Sequence, residues 1–372
     1  MAESLKKHFG IKIPQTIASM VGEVYPFFDG ERFVAEVKKG YQPLELMARG
    51  WQIAHHLRRH LPDDYSQAIE ILIASLGPRL ERTEGLGLAP FLYLPHVLLV
   101  AEYGLGHFEA SMRAQYQLTQ RFSAEFSIRR YLEHHPVATL HVLRQWATDP
   151  SPHVRRLVSE GTRPRLPWAS RLAMFQRDPQ PVLALLELLK DDPELYVRRS
   201  VANNLNDIGK DHRELLVATA RRWMKDASAE RQWIIRHALR SAVKQGDRGA
   251  LAVLGFGAAA GARLRDVAIA PQQVRRGGSV QIGFEVYNAS DQIMPLLVDF
   301  RIHFVKARGA SRPKVFKLKS INLGPGQAVR LGKRVSLAEM TTRRHYPGVH
   351  AVDVLLNGKP HKLGSFTVLQ TK

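Results

Sequence analysis

Two glutamates sit among arginines in this chain in a pattern that could do chemistry. In VRRLVSEGTRPRLPW, residues 154–168, Arg156 and Glu160 stand four apart, and Arg163 and Trp168 follow across a break made by Gly161, Pro164 and Pro167. In RFSAEFSIRRYL, Glu125 projects on a helical wheel between Ile128 and Leu132, toward the apolar side. A carboxylate withdrawn from water in this way has a raised pKa unless neighbouring arginines hold it ionised. Two outcomes stay open at this point. One is an internal salt bridge, worth only a few tenths of a kcal/mol if it is an exposed i, i+4 pair. The other is a carboxylate kept charged on a basic surface, where it would repel a polyanion and needs another reason to be there. Asp207, one turn past Asn203, is a third acid, placed either to act or to neutralise an arginine.

The elements that must position these residues are helices over residues 1–258. PLELMARGWQIAHHLRRHL and YSQAIEILIASLG carry apolar residues at three- and four-residue spacing, with Pro or Gly at their ends. DPSPHVRRLVSEG at 149–161 aligns with DPELYVRRSVANN at 192–204, and DASAERQWIIRHALR at 226–240 gives a looser third copy. A helical period near 40, with Asp-Pro in the turn and V-R-R opening the second helix, is a HEAT-type signature. Stacked repeats bury their apolar faces and leave a long concave surface for a partner. On that surface Arg156, Arg199 and Arg236 line up beside Glu160, Asn203 and Arg240. The arginine column is expected to track phosphates.

GFGAAAGARLR reads as a linker, placed at 259–264, and the composition then changes. SVQIGFEVYN, LLVDFRIHFV, KVFKLKSINL, AVRLGKRVSL, HAVDVLLNG and LGSFTVL alternate apolar and polar residues between turn signals. About seven short strands in this space predict an immunoglobulin-like β-sandwich over 265–372. From residue 265 onward there are 18 Lys and Arg against 6 Asp and Glu. Residues 306–319 hold Lys306, Arg308, Arg312, Lys314, Lys317 and Lys319 with no acid. Lysines guard edge strands, but this density favours phosphate contact, with Lys314, Lys317 and Lys319 as candidates.

Composition bounds the rest. The net charge of +20 points to a polyanionic partner, nucleic acid foremost. With no cysteine, disulfides, thiolate catalysis and Cys-ligated zinc are excluded. There is no P-loop, GxSxG or Rossmann fingerprint, so no nucleotide cofactor is expected. His56 and His60 stand four apart without an HExxH glutamate, and no metal is expected. MAESLKKHFGIKIP lacks an apolar signal core and no apolar run approaches 18 residues, so a soluble, cytoplasmic monomer that binds no membrane is expected.

RFSAEFSIRRYL, DPSPHVRRLVSEGTRPRLPW and YVRRSVANNLNDI together resemble the AlkC family of bacterial DNA alkylation-repair glycosylases, relatives of AlkD built on HEAT-like repeats. The resemblance runs through most of residues 1–258; the sandwich is similar to the immunoglobulin-like domain of some members by pattern alone. It implies hydrolysis of the N-glycosidic bond of cationic N3-methylated bases in double-stranded DNA, 3-methyladenine chiefly and 3-methylcytosine second. It also implies work on the sugar from the groove without enclosing the base. Its motifs place Glu160, Glu125 and Asp207 as acidic candidates, Trp168 as an aromatic wall, and Arg156, Arg163 and Arg199 as phosphate clamps. Glu160 ranks first because its wheel position faces the groove. The competing reading is a non-catalytic HEAT-repeat scaffold for nucleic acid or an acidic protein, which would not need Glu160 inside an arginine column.

Overall fold

The computed structural model describes residues 5–85, 87–339 and 344–370. The chain forms two compact units: 1–212 with 226–238, and 213–225 with 239–372. The first is helical; the second contains the sandwich. No helix among the described residues is long and apolar enough to cross a membrane.

In the first unit, amphipathic helices run from Lys12–Val24 to Leu195–Ile208, with Asp29 and Asp64 capping two N-termini through side-chain bonds to Arg32 N (2.9 Å) and Gln67 N (2.7 Å). The repeats show why V-R-R follows Asp-Pro. Asp149 accepts the Ser151 amide at 2.8 Å and Asp192 that of Glu194 at 2.9 Å, which folds each turn. The first arginine of each V-R-R then reaches back over its own turn: Arg155 donates to Asp149 O and Pro150 O, and Arg198 to Asp192 O and Pro193 O. Arg155 also pairs with buried Asp192 of the next repeat at 2.6 Å, tying neighbours together. The second arginine, Arg156 or Arg199, is thereby left on the other face.

The third copy shows its register by the same clamp. Gln232 donates to Ala227 O at 3.1 Å, as Arg155 does to Pro150 O and Arg198 to Pro193 O. Gln232 therefore matches Arg155 and Arg198, and Trp233 and His237 occupy the places of Arg199 and Asn203. His237 stacks on Trp233 (centroids 5.0 Å apart, 5° between planes) and lies 3.2 Å from Asn203 Oδ1. The expected continuation through Arg236 and Arg240 is thus shifted. Arg236 is exposed and bonds Gln232 at 2.8 Å, and Arg240 is half-buried one helical turn further on. The apolar spacing of WIIRHAL fits two registers; the turn clamp selects one.

In the second unit, eight strands among the described residues form the sandwich: β1 (Ala262–Ala270), β2 (Gln273–Val274), β3 (Ser279–Asn288), β4 (Met294–Val305), β5 (Ser311–Leu323), β6 (Ala328–Ser336), β7 (Gly348–Leu356) and β8 (Lys359–Val368). One sheet is β1-β3-β6 and the other β2-β8-β7-β4-β5, antiparallel except β2 against β8. Val280, Ile282, Phe284, Phe300, Ile302, Val354 and Phe366 fill the core from alternate positions. β1 begins inside the stretch that reads as linker, because Ala, Arg and Gly there give no strong strand pattern.

Candidate active site

Three helices of the first unit meet at the acids: Ser127–His134 just after Glu125, Pro152–Gly161 and Leu195–Ile208. Gly161 makes the approach possible, since a Cβ there would lie 2.4 Å from Ile128 Cγ2. The close packing strings the charges into an alternating chain. Arg156 Nη1 bonds Glu125 Oε2 at 3.0 Å, and its Nη2 lies 3.7 Å from Glu160 Oε1. Arg163 Nη1 bonds the same Glu160 oxygen at 2.6 Å, and its Nε reaches Asp207 Oδ2 at 2.8 Å. Lys210 closes the chain on Asp207 Oδ1 at 2.6 Å. Ser200 Oγ donates to Glu160 Oε2 at 2.5 Å, and Ser123 Oγ to Glu125 Oε2 at 2.8 Å.

Glu160, Arg163 and Asp207 are buried, so the pairing decides their ionisation. Burial pushes the Glu160 carboxyl up; the Arg156 and Arg163 charges, with bonds from Ser200 and Arg163, overcome it and hold the group below the usual carboxylate range. Burial likewise opposes the charge on Arg156, and Glu125, Tyr196 and Glu160 reverse that to raise its pKa. Both glutamyl oxygens of Glu160 are engaged, whereas the hydrogen bonds Glu125 accepts among the described residues both fall on Oε2.

Beside the pair lies an open cavity of about 370 Å³ lined by Glu125, Glu160, Arg156, Phe91, Phe122 and Trp168. Phe91 and Phe122 pack at 5.1 Å, and the Arg156 guanidinium sits 5.0 Å over the Tyr196 ring. Trp168 is 63% exposed and has φ of +65°, a left-handed conformation that costs roughly 1–3 kcal/mol for a bulky residue. Its loop is fixed at both ends. Thr162 Oγ1 bonds Val158 O at 2.8 Å, Leu172 N bonds Pro164 O at 3.2 Å, and Arg165 pairs with Asp211.

The structure brings Glu125, Glu160 and Trp168 together on the cavity. Asp207 sits behind them, 1% exposed and committed to Arg163 and Lys210. Arg156 and Arg163 point into the acids, so the outward clamp expected of them does not match their placement: their guanidinium groups bind carboxylates. Arg199 does face outward and pairs with exposed Glu84 at 3.1 Å. Asn203 is half-buried against His237. On edge strand β5, Lys314, Lys317 and Lys319 are exposed. Lys314 and Lys319 pair opposite the core residues Ile302 and Val298, and Lys317 opposite Asp299 across a register shift, which puts Lys317 on the other face.

Ser200, Tyr196, Phe91, Phe122 and Arg129 escape the sequence reading. Ser200 left a signal: it stands where the aligned repeat has Leu157, a polar residue in an apolar stripe, which implies a buried partner. Arg129 left none. The histidines His56 and His60 both approach Glu36 from another helix, at 3.4 and 3.0 Å, and hydrogen bonds from His60 first and Arg32 second lower the Glu36 carboxyl to about 2. Among the described residues no group of three or more His, Asp and Glu is placed to hold a metal ion.

Residues 121–242 match the family model of the DNA alkylation repair enzymes, and residues 263–370 that of the C-terminal Ig-like domain of the uncharacterised protein YhaZ. YhaZ of Bacillus subtilis (strain 168) is 35% identical over 95% of this chain and 96% of its own. The solved structure of Pseudomonas fluorescens alkylpurine DNA glycosylase AlkC, bound to DNA containing an abasic site analog, is 39% identical, covers 99% of this chain and 100% of that one, and superposes with a TM-score of 0.91. This chain belongs to the AlkC-like family of DNA alkylation repair enzymes that carry a YhaZ-type Ig-like domain.

Proposed function

We propose that the protein is a monofunctional DNA glycosylase that removes cationic N3-methylated bases from duplex DNA, 3-methyladenine first and 3-methylcytosine second. The observation that carries this reading is a pair of carboxylates at the rim of an aromatic-walled cavity, with Glu160 kept ionised although buried. A methylated base that is already cationic leaves with the electrons of the C1′–N bond and needs little acid catalysis. What remains is to stabilise the oxocarbenium-like sugar and to hold a water for it.

Glu125, with Oε1 available, faces the sugar and orients the water, whose oxygen bonds C1′ and whose proton passes to the carboxylate and then to solvent. Glu160 fixes Arg156 and Arg163 and adds negative potential. Trp168 offers a ring face to the same cation. Asp207 acts through Arg163. Arg199, Asn203, Arg236, Arg240 and the β5 lysines contact the duplex, and the base is approached from the groove without being enclosed. No metal or other cofactor enters the reaction.

The test is release of methylated base from alkylated duplex by the purified protein without added metal. Base release that Glu125→Gln abolishes supports the reading; tight DNA binding with no release would make the chain a scaffold instead.

A further inference from the structure

Among the charged groups the reaction leaves unused, Arg129 is buried beside the helix that carries Glu160. It is 2% exposed, on helix Ser127–His134, with its side chain turned to the end of the neighbouring helix Pro152–Gly161. Nη1 donates to Gly161 O at 3.1 Å and to Arg163 O at 2.7 Å, and Nη2 donates to Ser170 O. These carbonyls lie on both sides of Trp168. Gly161 ends the helix Pro152–Gly161, whose last carbonyls lack partners within the helix; Arg163 lies two residues beyond it, and Ser170 is where the chain returns after the tryptophan. One planar guanidinium therefore staples the two ends of the loop that holds Trp168 in its left-handed, outward pose.

We infer that Arg129 is a positioning residue for excision: it acts through the main chain to keep Trp168 standing at the cavity, and this inference rests on the glycosylase reading above. Lysine cannot replace it, because an ammonium is a point donor without the fork that spans separated carbonyls. The molecule contains a control for the same device. Arg49 is also buried and donates to main-chain oxygens of Lys6, Phe9, Gln42 and Leu44, among residues that line no part of the cavity. Arg49 serves the fold alone.

The experiment is a double-mutant cycle on full-length protein, read by single-turnover excision, with acrylamide quenching of Trp168 obtained by difference against Trp168→Phe. Arg129→Lys should slow excision at least tenfold in the native background and less than twofold in Trp168→Ala, with Trp168 more quenchable. Arg49→Lys should lower the melting temperature without touching Trp168 quenching or the excision rate of the folded fraction. Pro167→Gly, an exposed change that loosens the same loop, should mimic Arg129→Lys even if the latter folds poorly. An equal loss in both backgrounds, unchanged Trp168 quenching, or full activity in Pro167→Gly would overturn the inference. If native protein releases no base, the glycosylase reading fails, and the quenching arm still reports whether Arg129 holds Trp168.

Discussion

Arg129, Arg155, Arg156 and Arg163 turn their guanidinium groups inward, onto carboxylates or main-chain carbonyls, whereas Lys314, Lys317 and Lys319 hold their ammonium groups out on an edge strand. Both sets add to the same net charge of +20. The first set is stapled and partly desolvated, so each member is coupled to the fold. The second lies exposed on its strand, with Lys314 Nζ 5.3 Å over the Phe316 ring and Lys317 opposite Asp299, and charges placed so near water contribute little to stability. Formal charge along a sequence thus measures two different things in the two regions. Only the choice of arginine, which supplies several donors in a fixed fork, hints at the inward use.

The largest expected effect breaks the inward set. Arg163→Met leaves Glu160 and Asp207 buried without their shared cation and should cost about 3–5 kcal/mol in chemical denaturation of the helical unit. A loss below about 1 kcal/mol would mean the charge chain is dispensable. Glu125→Gln, and Glu160→Gln with it, should cut single-turnover release of 3-methyladenine at least about a hundredfold while DNA affinity holds or rises. Full activity in both variants would remove the carboxylates from the mechanism.

The pH dependence sharpens the same point. The pKa of Glu160 is depressed in the folded protein. The stability it contributes is therefore complete above the ordinary glutamate value of about 4.3 and is lost as pH falls through the depressed value. Excision should be flat from about pH 5 to 7.5 where this carboxylate is concerned. An acid limb near neutrality that Glu160→Gln abolishes would mean the protonated form is used.

The outward set should respond oppositely. Charge reversal at Lys314 and Lys319 should leave unfolding within about 0.5 kcal/mol of native and lower the slope of log K against log salt by about 1.8, at about 0.9 per contact. Reversal at Lys317, on the other face, should change the slope much less; equal effects would mean that DNA wraps the strand edge. The smallest change is Arg199→Ala, one phosphate contact and a slope change of about 0.9, for methylated and unmethylated duplex alike. A loss confined to damaged DNA would make Arg199 a reader of the lesion.

The fold was legible where periodicity is strong: helices then strands, the repeat at V-R-R, and the sandwich core. Glu125, Glu160 and Trp168 could be gathered as candidates because acids among arginines and an aromatic after a Pro-rich break are unusual neighbours. The direction of the arginines could not be read. A wheel assigns Arg156 a side of its helix, but whether that side meets solvent or another helix depends on Gly161 allowing Ile128 to approach. Trp233 and His237 were missed because two registers satisfy the same apolar stripe, and Arg129 because its acceptors are main-chain oxygens that no side-chain pattern encodes.

The back-reaching clamp of Arg155, Arg198 and Gln232 on their own turns has a consequence for how such a chain tolerates change in length. Each clamp sets the phase of its helix afresh from the turn that precedes it, so angular error does not accumulate from one repeat to the next. The spacing from Asp149 to Asp192 differs from that between Asp192 and Asp226, yet Arg155, Arg198 and Gln232 each bond the main-chain carbonyl five residues before them. An insertion upstream of a turn is absorbed there, and the working face downstream keeps its heading.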